Sequence, residues 1–291
     1  MGCVLGLPER IRFGPAGKPV DLKGGDYVRA IEYVAGEGLD ALEYEAVRGV
    51  RVSEKKALEI RRAAEEYGVL LSLHAPYYIN LAGREDVVRR SVERLKAAVR
   101  AAWLMGAYVV VFHPGYYRGN PSKRHALEKV VAALGEVVEW MKAEGIRGVW
   151  LSPETTGKVS QVGDVDEVVE ICSRVELCRP TVDWAHLHAR YKGAYIVSKD
   201  HVLEVIDRIE KGLGRWALDP LHTHFSRIRY GSGGEVEHHT LAEESYGPEF
   251  RHVCEAYREV GLRATVISES PLLDKDALVM KRICCEEVGY C

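Results

Sequence analysis

Eight short apolar runs, each followed by a longer amphipathic stretch, constrain this 291-residue chain more than any other feature of its sequence. The strand candidates are 11–14, 39–45, 69–75, 107–115, 148–154, 180–186, 218–226 and 264–270. Between them, stretches such as "SEKKALEIRRAAEEYG" and "VVRRSVERLKAAVRAAWLMG" place apolar residues at three- and four-residue intervals, the signature of helices that bury one face. Gly68, Gly106, Gly145 and Gly261 stand where those helices should stop. Lys55/Glu59 and Arg89/Glu93 are four apart and positioned to pair along a helix surface. Strand alternating with helix implies parallel strands joined by crossovers. Eight such units at about 36 residues each fit a single-domain α/β chain, residues 1–291, folded as a (β/α)8 TIM barrel. The competitor, a doubly wound open sheet, is disfavoured because no glycine-rich phosphate loop follows the first strand.

Six successive strand candidates end in a residue able to bind metal. His74 closes the third, His113 the fourth, Glu154 the fifth, Asp183 the sixth, His224 the seventh and Glu269 the eighth. From His74 to Glu269 the spacing averages about 39 residues, close to one strand–helix unit. In a barrel the C-terminal strand ends ring one mouth, so these residues converge there. "DWAH" adds His186 three residues after Asp183, and "GGEVEHH" clusters Glu235, Glu237, His238 and His239. Imidazole and carboxylate together suit Zn²⁺, with Mn²⁺ as an alternative. The donors outnumber the needs of one tetrahedral ion, so two or three ions per chain are expected. A lone histidine at a strand end is usually a hydrogen-bonded structural residue; six polar strand ends in a row are not explained that way. His125, His201 and His252 fall in helical segments, and His188 and His222 read as neighbours rather than ligands.

Composition bounds the rest. No apolar run reaches the ~20 residues of a membrane span, and "MGCVLGLPERIRFG" is too short and too poorly flanked for a secretory signal, so a cytoplasmic protein is expected. Two Asn and one Gln against 83 charged residues is a hyperthermophile pattern. The seven Cys include no CxxC pair, which argues against a Cys-based zinc site. Buried or stray thiols are the default for them, and intracellular disulfides the alternative. The formal net charge of −3 argues mildly against a nucleic-acid partner. Three bound dications would turn that sum to about +3, with the gain concentrated at the mouth.

The motifs "HAPYYINL", "FHPG", "PETTGK", "VDWAH", "HFS", "GEVEHH" and "SES" occur in the order seen in the endonuclease IV family, and nearly the whole chain resembles that family. "IRFGPAG" and "LEYEAVRGVRVSE" resemble its archaeal branch. The resemblance implies a TIM barrel with a three-zinc cluster. It also implies hydrolysis of the phosphodiester 5′ to an abasic site in duplex DNA, leaving a 3′-hydroxyl. His74 and His113 resemble the ligands of a first zinc, and Asp183 and His224 those of a second. Glu154 and Glu269 resemble the carboxylates serving both, with Glu154 bridging. His186 resembles a ligand of the third. The bacterial pattern there has an Asp two residues before a His. This chain departs from it, offering Glu235 with His238, the pair we favour, or Glu237 with His239. Tyr77 resembles a residue of a DNA-penetrating loop, and Arg48 or Arg51 is a further candidate for DNA contact.

Glu154 is then expected to orient and deprotonate the attacking water, and the protein to act as a monomer. The rival reading is a sugar isomerase or epimerase of the xylose-isomerase-like barrel type. It would use Glu154, Asp183 and Glu269 around one or two ions and has little use for so many histidines.

Overall fold

The computed structural model describes residues 11–22 and 26–291. Eight parallel strands form the centre: β1 (Arg12–Pro15), β2 (Ala41–Glu45), β3 (Leu70–His74), β4 (Val109–Phe112), β5 (Trp150–Pro153), β6 (Thr181–Asp183), β7 (Leu221–Phe225) and β8 (Ala264–Ser268). All eight sequence candidates hold a strand. One four-stranded array runs β1-β8-β7-β6 and the other β2-β3-β4-β5. Two seams join them: Ala16 bridges Glu43, and Leu151 and Glu154 bridge Cys178 and Thr181. The ladder therefore closes on itself, as the eightfold alternation predicts.

The helices that wrap it are α1 (Tyr27–Gly36), α2 (Glu54–Tyr67), α3 (Glu85–Met105), α4 (Lys123–Ala143), α5 (Val165–Arg174), α6 (Trp184–Arg190), α7 (Lys199–Leu213), α8 (Phe250–Val260) and α9 (Leu273–Arg282). Side chains of Asp26, Ser53 and Ser122 accept from the first free backbone N–H groups of α1, α2 and α4, and Asp164 with Glu167 forms a capping box on α5. Gly68, Gly106 and Gly261 end α2, α3 and α8 in the left-handed region, and Gly145 follows the last residue of the α4 cap at φ 69°. The charged pairs differ in register from the sequence expectation. Glu59 pairs with Lys56 and Glu93 with Lys96, both at 3.0 Å and three residues apart, not with Lys55 and Arg89.

The core lies between the barrel wall and the helices. Leu42, Leu71, Leu73, Val110 and Val182 meet Ile60, Leu95, Val130 and Ile171 there, all buried. Six of the seven cysteines pair, as Cys172–Cys178, Cys254–Cys284 and Cys285–Cys291, so the disulfide alternative holds. Cys3 lies outside the described residues. No helix among the described residues is long and apolar enough to cross a membrane.

Candidate metal centre

Strand alternation turns every second residue of a barrel strand inward. The parallel register then sets neighbours level: Glu45 with His74, and Asp183 with His224. Glu154, fully buried just after β5, sits at the middle of the mouth. Its Oε2 lies 3.4 Å from His74 Nε2 and 2.9 Å from His113 Nε2. Its Oε1 lies 3.1 Å from His224 Nδ1 and 3.3 Å from His186 Nδ1. His224 Nδ1 is also 3.2 Å from Glu269 Oε1. One carboxylate thus faces two separate pairs of imidazoles with its two oxygens.

The sixth strand is shorter than its sequence candidate, 180–186. It stops at Asp183, because the Asp183 side chain accepts from the His186 backbone N–H at 2.7 Å and starts α6 there. That cap occupies Oδ1 and leaves buried Oδ2 without a hydrogen bond, 3.5 Å from His186 Nδ1. It also turns His186 back over the mouth, with Nδ1 3.0 Å from the Thr155 carbonyl and Nε2 3.6 Å from Glu235 Oε2. Glu235 Oε2 is another buried oxygen without a hydrogen bond. Buried polar atoms left unpaired are expensive, and several of them aimed into one space suit a cation. The donor atoms fall into groups in which all members lie within 4.8 Å of one another: His74, His113 and Glu154; Glu154, Asp183, His224 and Glu269; and His186, His238 and Glu269.

The cluster "EVEHH" lies on the return strand of a hairpin, Arg227–Gly231 paired with Gly234–His239. Its register slips once. Arg229 faces Glu237 and Tyr230 faces Glu235, so Val236 is a bulged extra residue. The bulge reverses the alternation, so Glu235 and His238, three apart, share the face toward His186. His238 takes a 2.7 Å contact from Ser226 on Nδ1, stands 3.9 Å from Glu269 through Nε2, and packs its ring 5.5 Å from that of His186. Glu237 and His239 turn away: Glu237 pairs with Arg229 at 2.9 Å, and His239 pairs with Glu243 and stacks on Tyr246. Close approach secures the arrangement. A Cβ on Gly157 would stand 2.6 Å from Glu235 Cβ, and one on Gly234 2.1 Å from the Gly157 carbonyl.

Burial disfavours charge here; around Glu154, Glu269, His74, His186 and His224 the alternation of sign overcomes it, and at Asp183 and Glu45 it does not. Glu154 is held well below the ordinary carboxyl value against its burial, by His113 and His224 foremost. Glu269 is brought down to about 2, again against its burial, by His224. His74 is raised to about 10, its burial outweighed by Glu154 and Glu45. His186 and His224 are raised well above the usual imidazole value, against burial, by Asp183 and Glu43 respectively. Burial pushes Asp183 up to about 6 and Glu45 up to about 8.

Tyr77, 57% exposed, and Tyr78 follow β3 on the rim. The Tyr77 N–H donates to the Val47 carbonyl, which brings this loop beside the exposed Arg48 and Arg51. Arg94 covers the Tyr78 ring at 4.5 Å, leaving Tyr77 the freer of the two. Arg190, on α6, is buried, with its guanidinium donating to the carbonyls of Thr156, Lys158 and Gln161.

Sequence reasoning passed over Glu43 and Glu45, and read His222 as a neighbour rather than a ligand. Glu43 and His222 form a buried group with His224, below the mouth. The signal available was alternation: Glu43 is two residues before the end of its strand, as His222 is two before His224.

The sequence profile described as the xylose isomerase-like TIM barrel matches residues 31–281. An uncharacterized protein of the archaeon Methanocaldococcus jannaschii is 34% identical over 221 residues, 75% of this chain and 78% of that one. Endonuclease 4 of Thermus thermophilus is 27% identical over 175 residues, 59% of this chain and 58% of its own length. Probable endonuclease 4 of Thermotoga petrophila is 26% identical, over 69% and 70%. Among solved structures, endonuclease IV from Thermus thermophilus superposes with a TM-score of 0.70 at 22% identity, over 95% of this chain and 99% of that one. A D-tagatose 3-epimerase-like protein superposes at 0.66 with 24% identity, over 90% and 96%. At these identities the superpositions speak for the fold alone.

Proposed function

The chain belongs to the xylose isomerase-like TIM-barrel family, and within it we propose that this is a metal-dependent DNA-repair endonuclease of the endonuclease IV type, its archaeal branch included. It would cleave the phosphodiester 5′ to abasic sites in duplex DNA and leave a 3′-hydroxyl. The observation that carries the reading is the run of three contiguous donor groups, the first two sharing Glu154 and the last two sharing Glu269. The curated endonuclease 4 relatives support it.

The donor set fits divalent cations, Zn²⁺ first and Mn²⁺ as the alternative, because unpaired buried oxygens and imidazoles alternate around the mouth. His74, His113 and Glu154 would hold one; Glu154, Asp183, His224 and Glu269 a second; His186, His238 and Glu235 a third. Bound there, such ions neutralise phosphate charge and make a hydroxide nucleophile available near neutral pH. The chain's own residues do the rest. Glu154, anionic and central, orients the attacking water and accepts its proton. Arg48 and Arg51 grip the backbone on the rim. An abasic nucleotide lacks a base to unstack and is easily extruded. Tyr77 is placed to fill the gap it leaves.

The sugar epimerase reading needs only the central group, Glu154, Asp183, His224 and Glu269, around one ion. The flanking groups bearing His74, His113, His186 and His238 would then have no task. Metal analysis and cleavage of a duplex carrying one abasic site test the choice together. Two to three transition-metal ions per chain with cleavage at the lesion support the nuclease. One ion, no cleavage and turnover of a ketose would overturn it.

A further inference from the structure

Beneath the mouth, one layer down the barrel, a second set of polar side chains points inward where such barrels ordinarily pack branched apolar residues. Glu43 on β2 is fully buried and stands level with Ser72 on β3. Its Oε2 accepts from Ser72 Oγ at 2.8 Å and from His222 Nε2 at 3.1 Å. A carboxylate only accepts, so His222 carries its proton on Nε2. The Tyr108 hydroxyl lies 2.7 Å from the other ring nitrogen of His222, Nδ1. Oε2 is therefore saturated, held from two sides by fixed donors.

Oε1 is not. It is buried, makes no hydrogen bond of good geometry, and its near neighbour is His224 Nε2 at 3.0 Å. That nitrogen is likewise buried without another partner. The two atoms are left to each other. On the opposite edge of the same ring, His224 Nδ1 looks up at Glu154 and Glu269, at 3.1 and 3.2 Å. An imidazole ligand must present a bare nitrogen to the metal, and the hydrogen bond made by its other nitrogen decides which one that is.

We infer that Glu43 is a positioning residue of the metal centre: its Oε1 takes the Nε2–H of His224, which leaves Nδ1 bare and aimed at the cation, while Ser72, His222 and Tyr108 lock the carboxylate in place. The inference rests on the reading of His224 as a ligand. It gives a task to a carboxylate that would otherwise be a costly choice inside a barrel. It also explains why β7 carries two inward histidines with different jobs: His224 reaches the ion and His222 braces the group behind it.

The test begins with the zinc-loaded wild-type chain, which needs no variant. Long-range ¹H–¹⁵N correlation of the histidine rings should show His224 protonated on Nε2 and metal-bound through Nδ1. In Glu43→Gln, which keeps shape and removes the anion, zinc affinity measured by chelator competition should fall on the order of 10–100-fold. An unchanged melting profile of the metal-free variant would separate that loss from misfolding. A spectrum with Nε2 metal-bound would overturn the inference alone and make Glu43, His222 and His224 ligands of their own ion. So would an affinity for Glu43→Gln within about threefold of wild type. A wild-type chain that takes up no zinc would overturn this inference and the reading of His224 together.

Discussion

The hairpin strand Gly234–His239 carries two carboxylate–histidine pairs of the same composition, and their surroundings differ. Glu235 and His238 look into the mouth, where Glu235 has an unpaired buried oxygen and His238 approaches Glu269. Glu237 and His239 lie on the other face of the hairpin, Glu237 against Arg229 and His239 Nδ1 against Glu243 with its ring on Tyr246; His239 Nε2 makes no hydrogen bond. Residue type therefore does not distinguish the pairs. What surrounds them does: His238 joins His186 and Glu269 in one group of donors, and among the described residues neither Glu237 nor His239 joins such a group. An ion gains most where several donors converge on one space, and little beside donors engaged singly with neighbouring side chains.

The comparison breaks most sharply at the carboxylate the inner set is built around. Glu154→Gln should lower single-turnover cleavage of abasic duplex on the order of 10²–10⁴-fold while leaving the fold intact. An amide neither bridges two cations nor accepts a proton as a carboxylate does. A variant retaining more than about a tenth of the wild-type rate would move the central role to Glu269.

Changing the pairs themselves is the direct contrast. Glu235→Gln with His238→Ala should remove about one metal ion per chain and cost roughly 10–100-fold in activity. Glu237→Gln with His239→Ala should leave metal content unchanged and activity within about twofold, since neither residue joins a donor group among the described residues. Metal content and rate measured on the same samples decide it. Equal losses from both doubles would erase the distinction between inner and outer faces.

Acidity sharpens the same contrast. Without metal, the inner histidines hold protons: His74 is raised to about 10, and His186 and His224 stand well above neutral. Ligation requires those protons to leave, so zinc uptake at pH 7 should release about two to three protons per chain. Affinity should fall with pH by about one decade per unit for each proton displaced. Calorimetry in buffers of different ionisation enthalpy counts them, and uptake with no proton release would contradict the site as drawn.

The smallest effect is expected from deleting Val236. The bulge exists because three positions separate Glu235 from His238. With Val236 gone, regular alternation places them two apart on the same face, the spacing of the bacterial motif. Metal content should stay within about a fifth of wild type and the rate within about threefold. Loss of one ion on deletion would mean that the bulge itself shapes the site.

Much of this was legible in the sequence because it is local. A strand is announced by a short, largely apolar run and a helix by a period read over two or three turns. Eight repetitions of that unit leave few closed arrangements other than a barrel, and barrel closure places His74, His113, Glu154, Asp183, His224 and Glu269 on one rim. What the sequence could not announce depends on how strands lie beside one another. Glu43 reads as an ordinary strand residue until the closed ladder sets it level with Ser72 and brings it against His222 and His224, because only the register says which side chains meet inside. The end of β6 depended on a cap: Asp183 starts a helix because its oxygen finds the His186 N–H, a contest between local bonds that apolar pattern does not decide. Which of Glu235 and Glu237 faces the mouth depended on one slipped residue in a hairpin ladder, and every side chain beyond a slip changes face.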